Sequence, residues 1–199
     1  MDTRFLFLII ILLVLLQRLW ELRISKANEI YLLHHGGQVR GSNNLKLVKF
    51  LQLGWFAAMI LEVWWSNRPL IPLLASLALL LLMTGQLLRY GSMKALGHRW
   101  TLPLITLPGV AAVDSGVYRF LRHPNWLGVI LEIAALPLVH NAWITAALFS
   151  FINALLMVDR VRQEEQTLSR DSDYERLMGG RPRFLWLPRF GVKAPVSRL

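Results

Sequence analysis

The chain has 199 residues, 55% of them hydrophobic, with eight Trp, no Cys and a formal net charge of +10. The absence of Cys excludes disulfides and cysteine-ligated metal. An ordinary soluble domain is excluded too: Leu70 to Leu88 is 19 residues without a charge, enough to cross a hydrocarbon core.

Phe5 to Leu16 is a twelve-residue apolar run, the length of a signal-peptide core. Asp2 and Arg4 precede it, and Gln17-Arg18-Leu19-Trp20 follows where small residues would mark a cleavage site, so it reads as a retained helix. Gln17 to Leu33 continues with helical character, and Glu21, Arg23, Lys26 and Glu29 read as a solvated or headgroup-facing surface. His34-His35-Gly36-Gly37 reads as a helix stop rather than a metal site, because adjacent helical residues point apart and Gly closes helices. No metal is expected.

Five membrane segments are predicted, at about 4–20, 47–65, 69–89, 125–140 and 142–160, giving an all-α polytopic protein. The second carries Glu62 beside Trp64-Trp65; it either reaches the outer interface or has a function. Asn67-Arg68-Pro69 is a tight outer turn, and Pro72 falls in the first turn of the next helix. The third segment ends at Arg89-Tyr90. Residues 90–114, with Gly91, Gly97, Pro103, Pro108 and Gly109, are not expected to hold a long helix; a short strand or extended loop fits Thr101 to Leu107. The fourth segment is short for a span and stops at Pro137 and His140-Asn141, which suggests a shallow helical hairpin with the fifth. Glu132 lies in its middle. A charge at a span centre costs about 3 kcal/mol on insertion scales, so Glu132 faces protein or a polar cavity, as a hydrogen-bond partner or a binding group.

Of the 22 Lys and Arg, six fall in 18–49, five in 89–122 and nine from 160 onward, while only Arg4 and Arg68 lie on the other side. The positive-inside rule puts the N-terminus outside and the C-terminus in the cytoplasm. Topology therefore explains the charge, and no nucleic-acid partner is expected.

At 115–128 stands Ser-Gly-Val-Tyr-Arg-Phe-Leu-Arg-His-Pro-Asn-Trp-Leu-Gly, directly against the fourth segment. Pro124 suits a first helical turn and pushes His123 towards an extended backbone. The helix end then offers free N–H groups to an anionic ligand group, or the stretch is an interface anchor of Arg, Trp and Tyr. The fifth segment becomes abruptly charged at Asp159-Arg160-Val161-Arg162-Gln163-Glu164-Glu165. Arg160 and Glu164 are i and i+4. As a mere intrahelical pair they would contribute about 0.3 kcal/mol, in the weaker order; a cation near the two carboxylates explains them better. Arg181 to Phe190 mixes Arg with Phe184, Trp186 and Leu187 and reads as interfacial.

Ser-Gly-Val-Tyr with Arg-His-Pro-Asn-Trp-x-Gly at 115–128, followed by Arg-x-x-x-Glu-Glu-x-x-Leu at 160–168, resembles the isoprenylcysteine carboxyl methyltransferase family of integral membrane enzymes. The similarity covers roughly residues 70–190, and Arg18-Leu19-Trp20-Glu21-Leu22 with Asn28-Glu29 resembles its bacterial members. The resemblance implies one domain over 1–199, with N-terminal helices to residue 68 and a catalytic region from residue 69. It implies S-adenosylmethionine as cofactor, bound by Val113, Tyr118, His123, Pro124, Asn125, Trp126 and Glu164, with Arg160 holding the acceptor and Arg160 and Glu164 as the catalytic pair. Trp126 stands where the family usually has Tyr. The expected reaction is methyl transfer to a carboxylate or other oxygen of a lipophilic or lipidated acceptor within membrane lipids, in a bacterial inner membrane in preference to the endoplasmic reticulum. A carboxylate needs no general base; a phenol or enol does, and His123 is the nearby candidate. Methylation of a phospholipid amine or a polyketide hydroxyl are alternatives. So is an NADPH-dependent sterol-type reductase, a class similar at Arg-x-Pro-Asn-aromatic, although here Gly128 is followed by Val129 where Gly-Glu is usual, and the Glu-Glu pair is foreign to that class.

Overall fold

A computed structural model describes residues 2–40 and 45–184. The elements are α1 (Thr3–His34), β1 (Gln38–Val39), α2 (Leu45–Trp65), α3 (Pro72–Leu96), β2 (Ile105–Thr106), α4 (Pro124–Leu138), α5 (Trp143–Asp171) and α6 (Tyr174–Met178), with short 3-10 turns at Gly97–Arg99 and Gly116–Arg119. α1, α2, α3 and α5 are long and apolar enough to cross a membrane. α4 has 15 residues, about 22 Å at the usual helical rise, which is short of a hydrocarbon core of roughly 30 Å. Of the five expected segments, four are therefore long and apolar enough to span, and the fourth is short of that length and is followed after a turn by α5.

The helices are inverted relative to a soluble protein. Leu73, Leu80 and Leu87 of α3 are 72%, 65% and 66% exposed, a stripe suited to lipid. The buried seam gathers Phe7, Ile11 and Val14 of α1, Trp55, Met59 and Val63 of α2, Ala78 and Leu82 of α3, and Ile133 and Leu136 of α4. α3 and α4 make the closest approach. A Cβ on Gly128 would stand 2.7 Å from the Gly85 carbonyl oxygen and 2.6 Å from Arg89 Cγ. Small residues let helix backbones meet in this way where no hydrophobic force separates helix from lipid.

α1 does not stop at residue 20; it runs to His34, about 48 Å in all, so its second half leaves the hydrocarbon. It ends where the His-His-Gly-Gly run predicts, with His35 N–H returned to the Leu32 and Leu33 carbonyls. Lys26 pairs with Glu29 at the surface at 3.2 Å. Glu21, expected on that surface, is instead buried at 3% exposure. It joins a cluster of four charges. Arg18 reaches Glu21 at 2.8 Å and Glu132 at 2.7 Å, and Arg89 contacts Glu21 and lies 3.7 Å from Glu132. Glu132 is thus a structural partner of α1 and α3, and the cluster carries no net charge. Two arginines and two carboxylates offset one another's desolvation in a way that no single member could.

Two further expectations are revised. α3 passes through Gly91 to Leu96. Gly91 is a packing residue there and not a breaker: a Cβ would meet Val117 Cγ1 at 2.8 Å. Gly97, at φ +54, ends the helix. Glu62, with a side chain 7% exposed, is a structural partner of α5 and of Arg68. It accepts from the backbone N–H groups of Ile144 (3.2 Å) and Thr145 (2.7 Å) and from Thr145 Oγ1 (2.8 Å), and it pairs with Arg68 at 3.0 Å. α5 begins at Ala142, which has no capping side chain; Glu62 of α2 supplies the cap from outside. The extended piece expected in 101–107 is β2, which pairs antiparallel with β1 as Gln38 with Thr106 and Val39 with Ile105.

Candidate functional site

His123 holds a non-helical backbone (φ −130°, ψ 57°), and α4 starts at Pro124. The segment before it is clamped by residues near the C-terminus. Arg122 N–H donates to Pro182 O at 2.9 Å, His123 N–H to Arg183 O at 3.1 Å, Arg122 Nε to Arg181 O at 2.9 Å and Arg181 Nη1 to Tyr118 O at 2.6 Å. The expected interfacial stretch from Arg181 therefore serves first as this clamp; its continuation from residue 185, with Trp186 and Leu187, lies outside the described residues.

Between this segment, the 97–113 loop and the end of α5 is a cavity of about 190 Å³. Val113, Tyr118, His123, Asn125, Trp126, Arg160 and Glu164 all line it. Pro124 is not on its wall: it is fully buried as the first residue of α4. The rest of the wall includes Trp100, Tyr174, Arg40 and Asp171, which nothing local in the sequence marks. Asp171 accepts from Arg40 Nε at 3.0 Å and from Thr106 Oγ1, tying the β1–β2 pair to the end of α5.

The Glu-Glu pair divides its work. Glu165 takes both arms of Arg183, at 2.9 and 2.7 Å, and His123 Nε2 at 3.0 Å. Its side chain is 14% exposed against 31% for Glu164. Glu164 accepts from the Trp126 indole N–H at 2.8 Å and lies 4.0 Å from His123 Nδ1. Its charge has no arginine or lysine within ion-pair distance among the described residues, and it faces the cavity. Arg160 and Glu164 form no ion pair with each other among the described residues. Arg160 Nη2 donates to Leu102 O at 3.0 Å, and its guanidinium carbon stands 5.2 Å from the Trp126 ring centre, a cation–π distance. Trp126 thus sits between the two, joined to Glu164 by its edge and to Arg160 by its face. His123 is held through Nε2 by Glu165, while its Nδ1, 4.0 Å from Glu164, is beyond hydrogen-bond reach of that carboxylate. Asn125 Oδ1 is buried with no hydrogen-bond partner among the described residues, an acceptor that awaits a donor. The Tyr118 hydroxyl is pushed well above its ordinary pKa by burial and then by Glu164.

An anionic group and an orphaned acceptor on one part of the wall suit a ligand with a positive charge and N–H donors. Arg160, with only one of its donors committed among the described residues, suits an anion.

Residues 77–170 match the isoprenylcysteine carboxyl methyltransferase family. The uncharacterized protein YpbQ of Bacillus subtilis (strain 168) is 31% identical over 166 residues, covering 83% of this chain and 98% of that protein. An uncharacterized protein of Haemophilus influenzae is 27% identical over 153 residues, covering 76% of this chain and 88% of that one. Among solved structures, the eukaryotic intramembrane Ras methyltransferase isoprenylcysteine carboxyl methyltransferase superposes with a TM-score of 0.53 at 16% identity. The match covers 68% of this chain and 52% of that chain, so this chain spans about half of the larger enzyme.

Proposed function

The chain belongs to the isoprenylcysteine carboxyl methyltransferase family, and from that premise we propose that it uses S-adenosylmethionine to methylate an oxygen, a carboxylate first of all, of a lipophilic acceptor. The observation that carries this reading is the unequal fate of the carboxylate pair: Glu165 is consumed by Arg183, while Glu164 keeps its charge for the cavity.

The wall fits the cofactor. Glu164 would hold its positive charge, and the orphaned Asn125 Oδ1 would take one of its N–H donors. When bound, S-adenosylmethionine supplies an electrophilic methyl group on sulfur. The protein then has to align and to exclude water. Arg160 would grip the anionic acceptor with its uncommitted N–H groups, held in place by the Leu102 carbonyl and the Trp126 face. Trp126, joined to Glu164 by its edge and to Arg160 by its face, would hold the cofactor's anchor and the acceptor's anchor beside one another so that the two reacting groups can meet. A carboxylate acceptor suits this wall because it requires no base, and His123 is already committed to Glu165.

A lipophilic acceptor is supported by a second cavity of about 380 Å³ along α5. Ile130, Met157, Val158, Val161 and Phe184 line it, and its polar end is the Glu165–Arg183 pair that backs onto His123. Two bacterial relatives support placement in a bacterial inner membrane.

Glu164→Gln keeps shape and removes charge, so S-adenosylmethionine affinity is expected to fall about thirtyfold, on the order of 2 kcal/mol. Arg160→Lys keeps charge and loses the planar fork, so turnover is expected to collapse with affinity near normal. Calorimetry and product assays in one detergent measure both. Wild-type affinity and turnover in both variants would remove the site from α5, and equal loss of binding in both would make the pair one structural unit.

A further inference from the structure

The cavity wall has two unlike parts. Arg160, Glu164, Asn125 and the Trp126 indole make one of them polar and charged. The other is aromatic and apolar: Tyr118 and Tyr174 pack with Met178, flanked by Val113 and Leu168. Tyr174 is 3% exposed, and its hydroxyl has no hydrogen-bond partner among the described residues. Buried hydroxyls nearly always have one, because an unmade bond is costly. Nothing in the packing requires this hydroxyl. The position of α6 is fixed beside it, where Asp173 accepts from Ala112 N–H at 2.8 Å and Gly109 N–H donates to Asp171 O at 2.9 Å. Burial, and then Glu164, push the phenol well above its ordinary pKa, so it remains an O–H donor throughout the physiological range.

We propose that Tyr174 is a cofactor-recognition residue: its ring walls a slot for the adenine base of S-adenosylmethionine, and its hydroxyl donates to a ring nitrogen of that base. The inference rests on the cofactor reading above. Adenine is flat, stacks on aromatic faces and offers ring-nitrogen acceptors, which suits the apolar part. The charged amino-acid half suits the part with Glu164 and Asn125. The hydroxyl is buried, and Met178 and Leu168 pack in the same cluster and line the same cavity, so on this reading the base reaches it by displacing these side chains. Both are flexible side chains, and Met adapts with particular ease.

The test is Tyr174→Phe in the full chain, with calorimetric affinities for S-adenosylmethionine and for 5′-methylthioadenosine, which lacks the amino-acid half, and a ligand-free melting temperature. Affinity for both ligands is expected to weaken about tenfold, with the melting temperature unchanged or raised, since an unsatisfied polar group has been removed. Unchanged affinity for both overturns the assignment. Loss confined to S-adenosylmethionine also overturns it, by moving the contact to the amino-acid half. A lowered melting temperature with unaltered affinity makes Tyr174 structural. If the wild-type chain binds neither ligand, the cofactor reading fails and takes this inference with it; if it binds both and only the variant comparison fails, the cofactor reading stands.

Discussion

Glu164 and Glu165 are neighbours in sequence with separate partners, and the difference between them is made by Arg183 and Trp126, distant residues that no spacing rule connects to α5. The motif singled out a carboxylate pair; which of the two is left without an arginine partner among the described residues depends on the clamp formed by residues 181–183. Trp126 gives the sharpest test at this scale. Trp126→Phe keeps a ring under Arg160 but removes the N–H that holds Glu164. Charge-assisted hydrogen bonds contribute roughly 1.5–3 kcal/mol. S-adenosylmethionine affinity is therefore expected to drop about tenfold or more, with the melting temperature shifted by only a few degrees. Unchanged affinity would show that the Trp126 N–H does not orient Glu164. Tyr174 was not legible in the sequence, since it follows a helix end where periodicity gives no signal, and its importance lies in a hydrogen bond that is not made.

Elements were more readable than their ends. Apolar runs located all five main helices, and Pro124 and the His-His-Gly-Gly run marked real boundaries. Gly91 misled because glycine in a helix looks like a stop from the sequence and like a contact surface once Val117 lies against it. The same distinction yields a paired test. Gly54 meets only Phe149 at 3.8 Å, whereas a Cβ on Gly128 would press into Arg89 and the Gly85 carbonyl. Gly54→Ala is expected to be neutral. Gly128→Ala is expected to cost about 1–3 kcal/mol through overpacking, seen as a lower melting temperature, and to weaken S-adenosylmethionine binding because α4 carries Asn125 and Trp126. Equal melting temperatures for the two variants would mean that α3 and α4 have room to separate. Glu62 taught the opposite lesson: its helix was placed correctly, and its role as a cap for α5 could not be read because its partners lie more than eighty residues away.

At the scale of the whole molecule, the distribution of basic residues leads to the proposal that 18–49, 89–124 and 160–199 lie on the cytoplasmic side. Cysteine introduced in place of Arg40, Ile105 or Gly180 is expected to label from the cytoplasm only; labelling of Ile105→Cys from the opposite side would overturn that arrangement. The pairing of β1 with β2 already requires residues 38–39 and 105–106 to share one side. Within this arrangement the four buried charges impose an order in time. Arg18 and Glu21 are translated first and neutralise one another within a single helix, so α1 can settle in the bilayer alone. Arg89 emerges next and can complete its contacts with Glu21 while its carboxylate partner on α4 does not yet exist. Glu132 comes last and enters on the shortest of the five main helices, α4, where no opposite charge on that helix shields it. The growing chain therefore carries an electrostatic debt from the moment α4 begins until that helix docks against the two arginines, and α4, the bearer of the proposed site, is the part of the molecule that cannot be inserted independently of the rest.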